Sequence, residues 1–319
     1  MAINNVPDGY YVNNNTGEVI PISEGSKIVT PAEIERNKKY TEYITEQNLT
    51  RLTYEEYGRF VWSKYQLQES YAEKLSGATI TRLMFLATYM NYKGELVEDS
   101  VGGKGNATTY LTKEDIHHKL KIRKSAFYAF WAELEDNHLI ENKNGRFLLS
   151  EELFLRGKLN KAKIATLAKS DYYITRLYRN AIRELYNKST VKAHKTLSYI
   201  FKMIPFVNRK YNVLCFNPLE ENFDKIQYMT VGDFCEQVGY DRDHATRLFH
   251  ELYKPTFMTE KGERFAVRYV SGKDLRKGSF YIFVSPYVYY AKDVYNRCQI
   301  DEMLELSEKD EEEKDNGKE

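Results

Sequence analysis

The chain has 319 residues, 42% of them hydrophobic and 29% charged, which fits a globular protein of about two domains and excludes a collagenous or broadly disordered one. Its formal net charge of +1 conceals a net −7 over residues 301–319 and a net +8 over the rest, a basic body with an acidic tail. The sequence holds no apolar run of about 18 residues, so no membrane span is expected, and the start MAINNVPDGYYV lacks the basic head and apolar core of a secretory signal.

Residues 1–76 read as an N-terminal arm. It opens on a hairpin signal, Tyr10-Tyr11-Val12, then Asn13-Asn14-Asn15-Thr16-Gly17, then Glu18-Val19-Ile20. Residues 31–75 are polar and helix-leaning, with aromatics around Phe60, Trp62 and Tyr65. From residue 77, Ile80, Leu83, Met84, Ala87 and Met90 recur at helical spacing. A Gly-rich loop covers 101–109. Thr112 and Asp115 then form an N-capping pair ahead of a helix that runs to about Leu120. After a turn at Lys121–Arg123, a second helix carries Phe127, Phe130 and Leu134. Asn144-Gly145 between short apolar strands predicts a tight hairpin. Helix, helix, turn, helix and hairpin in that order predict a winged helix-turn-helix domain over 77–157.

Residues 158–189 read as a basic helical connector. Ile174, Leu177, Tyr178, Ala181, Ile182 and Leu185 form its apolar stripe, and lysines and arginines cover the other positions, as they also would on an ordinary solvated face. The pattern then returns. Adding 118 takes Leu111 to Met229, Thr112 to Thr230, Asp115 to Asp233, Ile116 to Phe234, Phe130 to Leu248 and Leu134 to Leu252. At a larger offset, Phe147–Phe154 resembles Ile282–Tyr289. A second winged-helix domain is expected over 190–291, with strands at Phe265–Val270 and Ser279–Val284 around an exposed loop. Residues 292–319 are expected to be an acidic, disordered tail. The fold class expected is mainly α with small β wings (α+β), as tandem winged helix-turn-helix domains joined by a helical connector.

In a helix-turn-helix the second helix presents its N-terminal residues to base edges in the major groove. The outward set is Arg123, Lys124, Ser125 and Tyr128 in the first unit, flanked by hairpin residues Lys143 and Arg146. Arg can bond guanine bidentately, Ser donates and accepts, and Tyr reaches phosphate. The second unit offers Arg242, Thr246 and Arg247, with Asp241 and Asp243 beside them. Its longer wing carries Lys273, Arg276 and Lys277, whose phosphate contacts would fall with salt. Double-stranded DNA is the expected partner. Replication or transcription proteins are candidate partners of the tail, whose other reading is a solubility device.

Catalysis has little support. His117-His118 is an adjacent pair, and adjacent residues do not share a helix face. No GxxxxGK[ST] phosphate loop occurs. Cys215, Cys235 and Cys298 share no CxxC spacing, which fits a reducing cytoplasm and argues against a structural metal. No enzyme activity, metal or cofactor is expected.

The first unit resembles the RepL-type plasmid replication proteins and the related winged-helix proteins of phages. The likeness rests on Thr16-Gly17-Glu18-Val19, Phe60-Val61-Trp62, Leu111–Ile140 and Phe147–Gly157; a looser likeness to longer phage versions runs from Asn212–Pro218 through Phe283–Tyr290. The resemblance implies a MarR-like winged helix and origin binding that starts replication without a catalytic site. The expected function is sequence-specific duplex DNA binding in replication initiation or organisation of a phage or plasmid. The alternatives are a transcriptional regulator of the same fold and a protein–protein interaction factor.

Overall fold

The computed structural model describes residues 10–12, 16–21, 31, 33–38, 40–41, 57–64, 71, 73–98, 109–157, 174–260, 262–271 and 280–291. The chain divides into two compact units, Met1–Arg51 and Leu52–Glu319. In the first, β1 (Tyr10–Val12) pairs antiparallel with β2 (Val19–Pro21), Tyr11 facing Ile20.

The second unit starts with β3 (Phe60–Lys64), whose middle residues are buried. Helix α1 (Gly77–Ala87) is capped by the Ser76 side chain, which accepts from the Thr79 N–H. It is buried on nearly every side, as an apolar helix must be. Helix α2 (Lys113–Leu120) opens on a reciprocal capping box. The Thr112 hydroxyl accepts from the Asp115 N–H at 3.1 Å, and the Asp115 carboxylate accepts from the Thr112 N–H at 2.8 Å. Lys121 turns the chain in the left-handed region, φ 49°. Helix α3 (Lys124–Asp136) then buries Phe127, Phe130, Trp131 and Leu134. Strands β4 (Ile140–Lys143) and β5 (Arg146–Leu149) close a two-residue hairpin. Its turn residues Asn144 and Gly145 both have positive φ, 54° and 78°, the geometry that favours Asn-Gly. The short β6 (Phe154–Leu155) follows.

The second half begins with β7 (Ile174–Tyr178), α4 (Arg179–Lys188) and α5 (His194–Lys202). Helix α6 (Val231–Gln237) carries the same capping box as α2, built by Thr230 and Asp233. A 3-10 turn at Arg242–His244 leads into α7 (Ala245–Leu252). Hairpin β8 (Thr256–Thr259) with β9 (Gly262–Phe265) follows. Then come β10 (Val267–Ser271), paired with β11 (Phe280–Val284), and β12 (Tyr289–Tyr290).

The expected mainly-α architecture of tandem winged-helix domains on a helical connector is not what forms. The structure is mixed α/β, with several small antiparallel sheets. Its largest sheet has strand order β12–β7–β3–β6 and draws strands from the presumed arm, both presumed domains and the presumed connector. Ile174–Tyr178, read as helix, is a central strand of that sheet, pairing with β3 on one side and β12 on the other. The spacing of Ile174, Leu177 and Tyr178 fits a helical stripe equally well. A strand buried between two neighbours shows no clean alternation, so periodicity alone misassigns it. Among the described residues, the main hydrophobic core draws on both halves, from Tyr57 to Tyr290, while Trp62, Leu155 and Ile174 form a smaller cluster of their own. The hairpin β8–β9 was not anticipated. The strand expected at Phe265–Val270 forms as β10 from Val267, with Phe265 ending β9 instead, and the one expected at Ser279–Val284 forms as β11 over Phe280–Val284, Ser279 lying outside the described residues.

Within this frame the same backbone bonds occur twice. Leu96 N–H donates to Phe147 O and Leu214 N–H to Ile282 O, both at 2.8 Å. Leu111 N–H donates to Leu96 O, and Met229 N–H to Leu214 O. Leu149 N–H donates to Gly94 O, and Val284 N–H to Asn212 O, both at 3.0 Å.

Candidate nucleic-acid interface

The turn at Lys121–Arg123 sets where α3 begins. Ile122 and Phe127 anchor it, being 7% and 3% exposed, while Arg123, Lys124 and Ser125 between them are exposed. Arg123 is the N-cap of α3, Lys124 and Ser125 lie in its first turn, and Tyr128 stands one turn on, 54% exposed. All four are exposed and close in sequence on one end of one helix. Arg123 and Lys124 make no ion pair among the described residues. The Arg123 side chain makes no capping bond, so the first N–H groups of α3 depend on other acceptors. Those N–H groups and two cations make an end suited to phosphate.

The pose of this end is fixed from behind. Lys113 Nζ lies 4.3 Å from the Trp131 ring centroid and 5.9 Å from that of Tyr128, joining α2 to α3. His117 Nε2 and the Ile122 carbonyl oxygen are 2.8 Å apart, which holds the turn. Trp131 meets Phe147 edge to face at 5.0 Å, so the β4–β5 hairpin is packed onto α3. Lys113 and Trp131 were not read as part of the site. Their sequence separation hides the contact, and only the capping box that fixes Lys113 as the first residue of α2 could have hinted at it.

The hairpin cations are engaged. Lys143 pairs with Glu141 at 2.9 Å. Arg146 pairs with Glu95 at 3.0 Å and lies 4.2 Å from the Tyr110 ring centroid. The Glu95 carboxyl is held below the usual carboxylate range, mainly by the Asn91 amide bond and also by Arg146. Arg146 therefore fastens the hairpin to the segment that carries Glu95.

In the second half, Thr246 and Arg247 are exposed on α7. Arg242 forms a close ion pair with Glu236 on α6. Asp241 caps the 3-10 turn, accepting from the Asp243 N–H at 2.9 Å, and sits 3.0 Å from His244 Nδ1. These bonds hold the Asp241 carboxyl below its ordinary range. Asp241 thus shapes the start of the turn that leads into α7. Lys273, Arg276 and Lys277 lie outside the described residues, as does the tail at 292–319. The structure gathers Arg123, Lys124, Ser125 and Tyr128, and separately Arg242, Thr246 and Arg247.

Comparison with protein-family models, curated proteins and solved structures found no match to this chain. Among the described residues, no helix is long and apolar enough to cross a membrane. Cys215 and Cys235 are buried and free, and burial pushes the Cys215 thiol up to about 12. Cys298 lies outside the described residues.

Proposed function

We propose that this chain is a non-enzymatic, sequence-specific double-stranded DNA-binding protein. The observation that carries the reading is the exposed set Arg123, Lys124, Ser125 and Tyr128 on the leading end of α3, the second of two helices joined by a three-residue turn. A helix held this way enters a major groove end-first, and this residue set can bond guanine edges and phosphate together. The basic body of the chain adds sequence-independent attraction.

Selection of random duplexes on the purified chain, then titration of the winner at several salt concentrations, tests the proposal. A defined motif and a steep salt slope support it; a flat selection with weak binding overturns it. The assignment to replication rests on the resemblance to RepL-type proteins. A winning motif that recurs at an origin supports that role, and one that overlaps a promoter favours regulation of transcription.

A further inference from the structure

We infer that one chain of this protein reads two unlike DNA half-sites set in opposite orientation, because its two repeated helix pairs, α2–α3 and α6–α7, are related by a two-fold axis inside the chain. The inference rests on the DNA-binding reading above and specifies the kind of duplex it takes.

The axis is legible in the shared sheet. β3 and β7 pair antiparallel, and their register is centred on Trp62 opposite Arg176. β6 joins the outer side of β3 with Leu155 opposite Trp62 and Phe154 opposite Ser63. β12 joins the outer side of β7 with Tyr290 opposite Arg176 and Tyr289 opposite Leu177. Exchanging Trp62 with Arg176 exchanges Leu155 with Tyr290 and Phe154 with Tyr289, so the sheet maps onto itself. The bonds at the sheet edge follow: Lys64 N–H donates to Leu153 O, and Tyr178 N–H to Val288 O.

The helices above obey the same relation. α1 and α5 occupy corresponding places ahead of α2 and α6, and they pack on each other antiparallel. Gly77 lies against Ser198, and Thr81 Oγ1 donates to His194 O at 2.7 Å. The duplicated bonds of residues 94–96 and 212–214 then carry the relation outward to the two capping boxes. Two units repeated by translation would not bring equivalent strands into an antiparallel pair. A two-fold relation requires it, as in a symmetric dimer.

DNA has local dyads of its own, so two-fold-related reading helices meet half-sites of opposite polarity. The residues at corresponding positions differ. Arg123 corresponds to Asp241, Lys124 to Arg242, Ser125 to Asp243, Tyr128 to Thr246 and Ala129 to Arg247. The half-sites therefore differ in sequence, unlike those of a homodimer, and a single chain suffices for both.

The test uses the full chain and the paired motif that selection yields. Three duplexes carry the same two half-sites at one spacing: opposed as selected, with one half-site reversed to make a direct repeat, and with one half-site scrambled. Fluorescence anisotropy gives affinity, and sedimentation of the saturated complex gives stoichiometry. We expect one chain per opposed duplex and at least about tenfold weaker binding to each of the other two. Arg123→Ala is expected to relax base preference in one half-site and Arg247→Ala in the other. Equal affinity for the direct repeat, a single unpaired motif, or two chains on the opposed duplex overturns the inference while leaving DNA binding intact. Failure to select any duplex overturns the DNA-binding reading itself, and this inference with it.

Discussion

The guanidinium carbon of Arg176 lies 4.6 Å from the Trp62 ring centroid, on the very pair about which β3 and β7 are centred. Trp62 also donates its indole N–H to the Gly157 carbonyl at 3.0 Å and takes the Phe60 ring edge-on at 5.0 Å. Three stretches far apart in sequence thus converge on one indole. Removing it takes away a cation–π contact, a hydrogen bond and a large buried surface together.

Because the sheet is shared, the two halves are expected to unfold as one. In urea, the fluorescence of Trp62 and Trp131 together and far-UV circular dichroism should lose signal at the same midpoint. Trp62→Ala should lower stability by about 3–5 kcal/mol without splitting the transition. Two separated midpoints in the parent chain would mean independently folding halves.

Gly77 sits at a close contact between α1 and α5. A Cβ there would sit 2.7 Å from Ser198 Oγ and 3.0 Å from the Lys195 carbonyl oxygen. The hydroxyl can rotate away, but the carbonyl belongs to helix backbone and cannot. Gly77→Ala is therefore expected to destabilise by about 1–3 kcal/mol, although alanine is ordinarily the better helix former. A midpoint at or above that of the parent would refute the close contact.

On the DNA side, Arg123→Ala with Lys124→Ala should weaken specific binding by about 1–3 kcal/mol per lost base contact and flatten the salt slope. Arg242→Ala should cost far less, since its guanidinium is already committed to Glu236. Anisotropy titrations at two salt concentrations distinguish the two variants. Equal losses would show that the Glu236 pair opens on binding.

His194, 2% exposed, begins α5 with its ring stacked on Tyr186 at 4.4 Å. Burial, with the nearby Arg82 charge, lowers its pKa from about 6.5 to about 4. Above pH 6.5 it is neutral in both folded and unfolded chains, and its full contribution is present. Below that pH the unfolded chain binds a proton that the folded chain refuses, so stability falls until about pH 4. The expected loss between pH 7 and pH 5 is about 2 kcal/mol from this group. His194→Phe should remove that part of the slope in denaturation curves across this range; an unchanged slope would assign it elsewhere.

The two capping boxes give a matched pair of tests. Thr112→Ala and Thr230→Ala should each cost about 1 kcal/mol, since each removes the acceptor for an otherwise unpaired helix N–H. A large difference between the two would mean that the two caps are not equivalent in energy.

The local elements were legible in the sequence because their signals are local. Thr112 with Asp115 and Thr230 with Asp233 announce helix starts through side-chain to backbone bonds only three residues long. Asn144-Gly145 announces a hairpin because few other residues tolerate two successive positive φ values. The 118-residue repeat was legible for the same reason, since each copy needs the same caps and the same inward residues. The outward residues Arg123, Lys124, Ser125 and Tyr128 followed by subtraction. Tertiary structure alone decided that Ile174–Tyr178 is a strand. Its apolar spacing suits a helix or a buried strand alike, and the choice falls to β3 and β12, whose unpaired backbone groups it satisfies. Tertiary structure also decided that Arg242 is bound to Glu236 and that Lys113 backs Tyr128. Above all it decided that the two repeats share one sheet and one core, because strand pairing across more than a hundred residues leaves no mark within either strand.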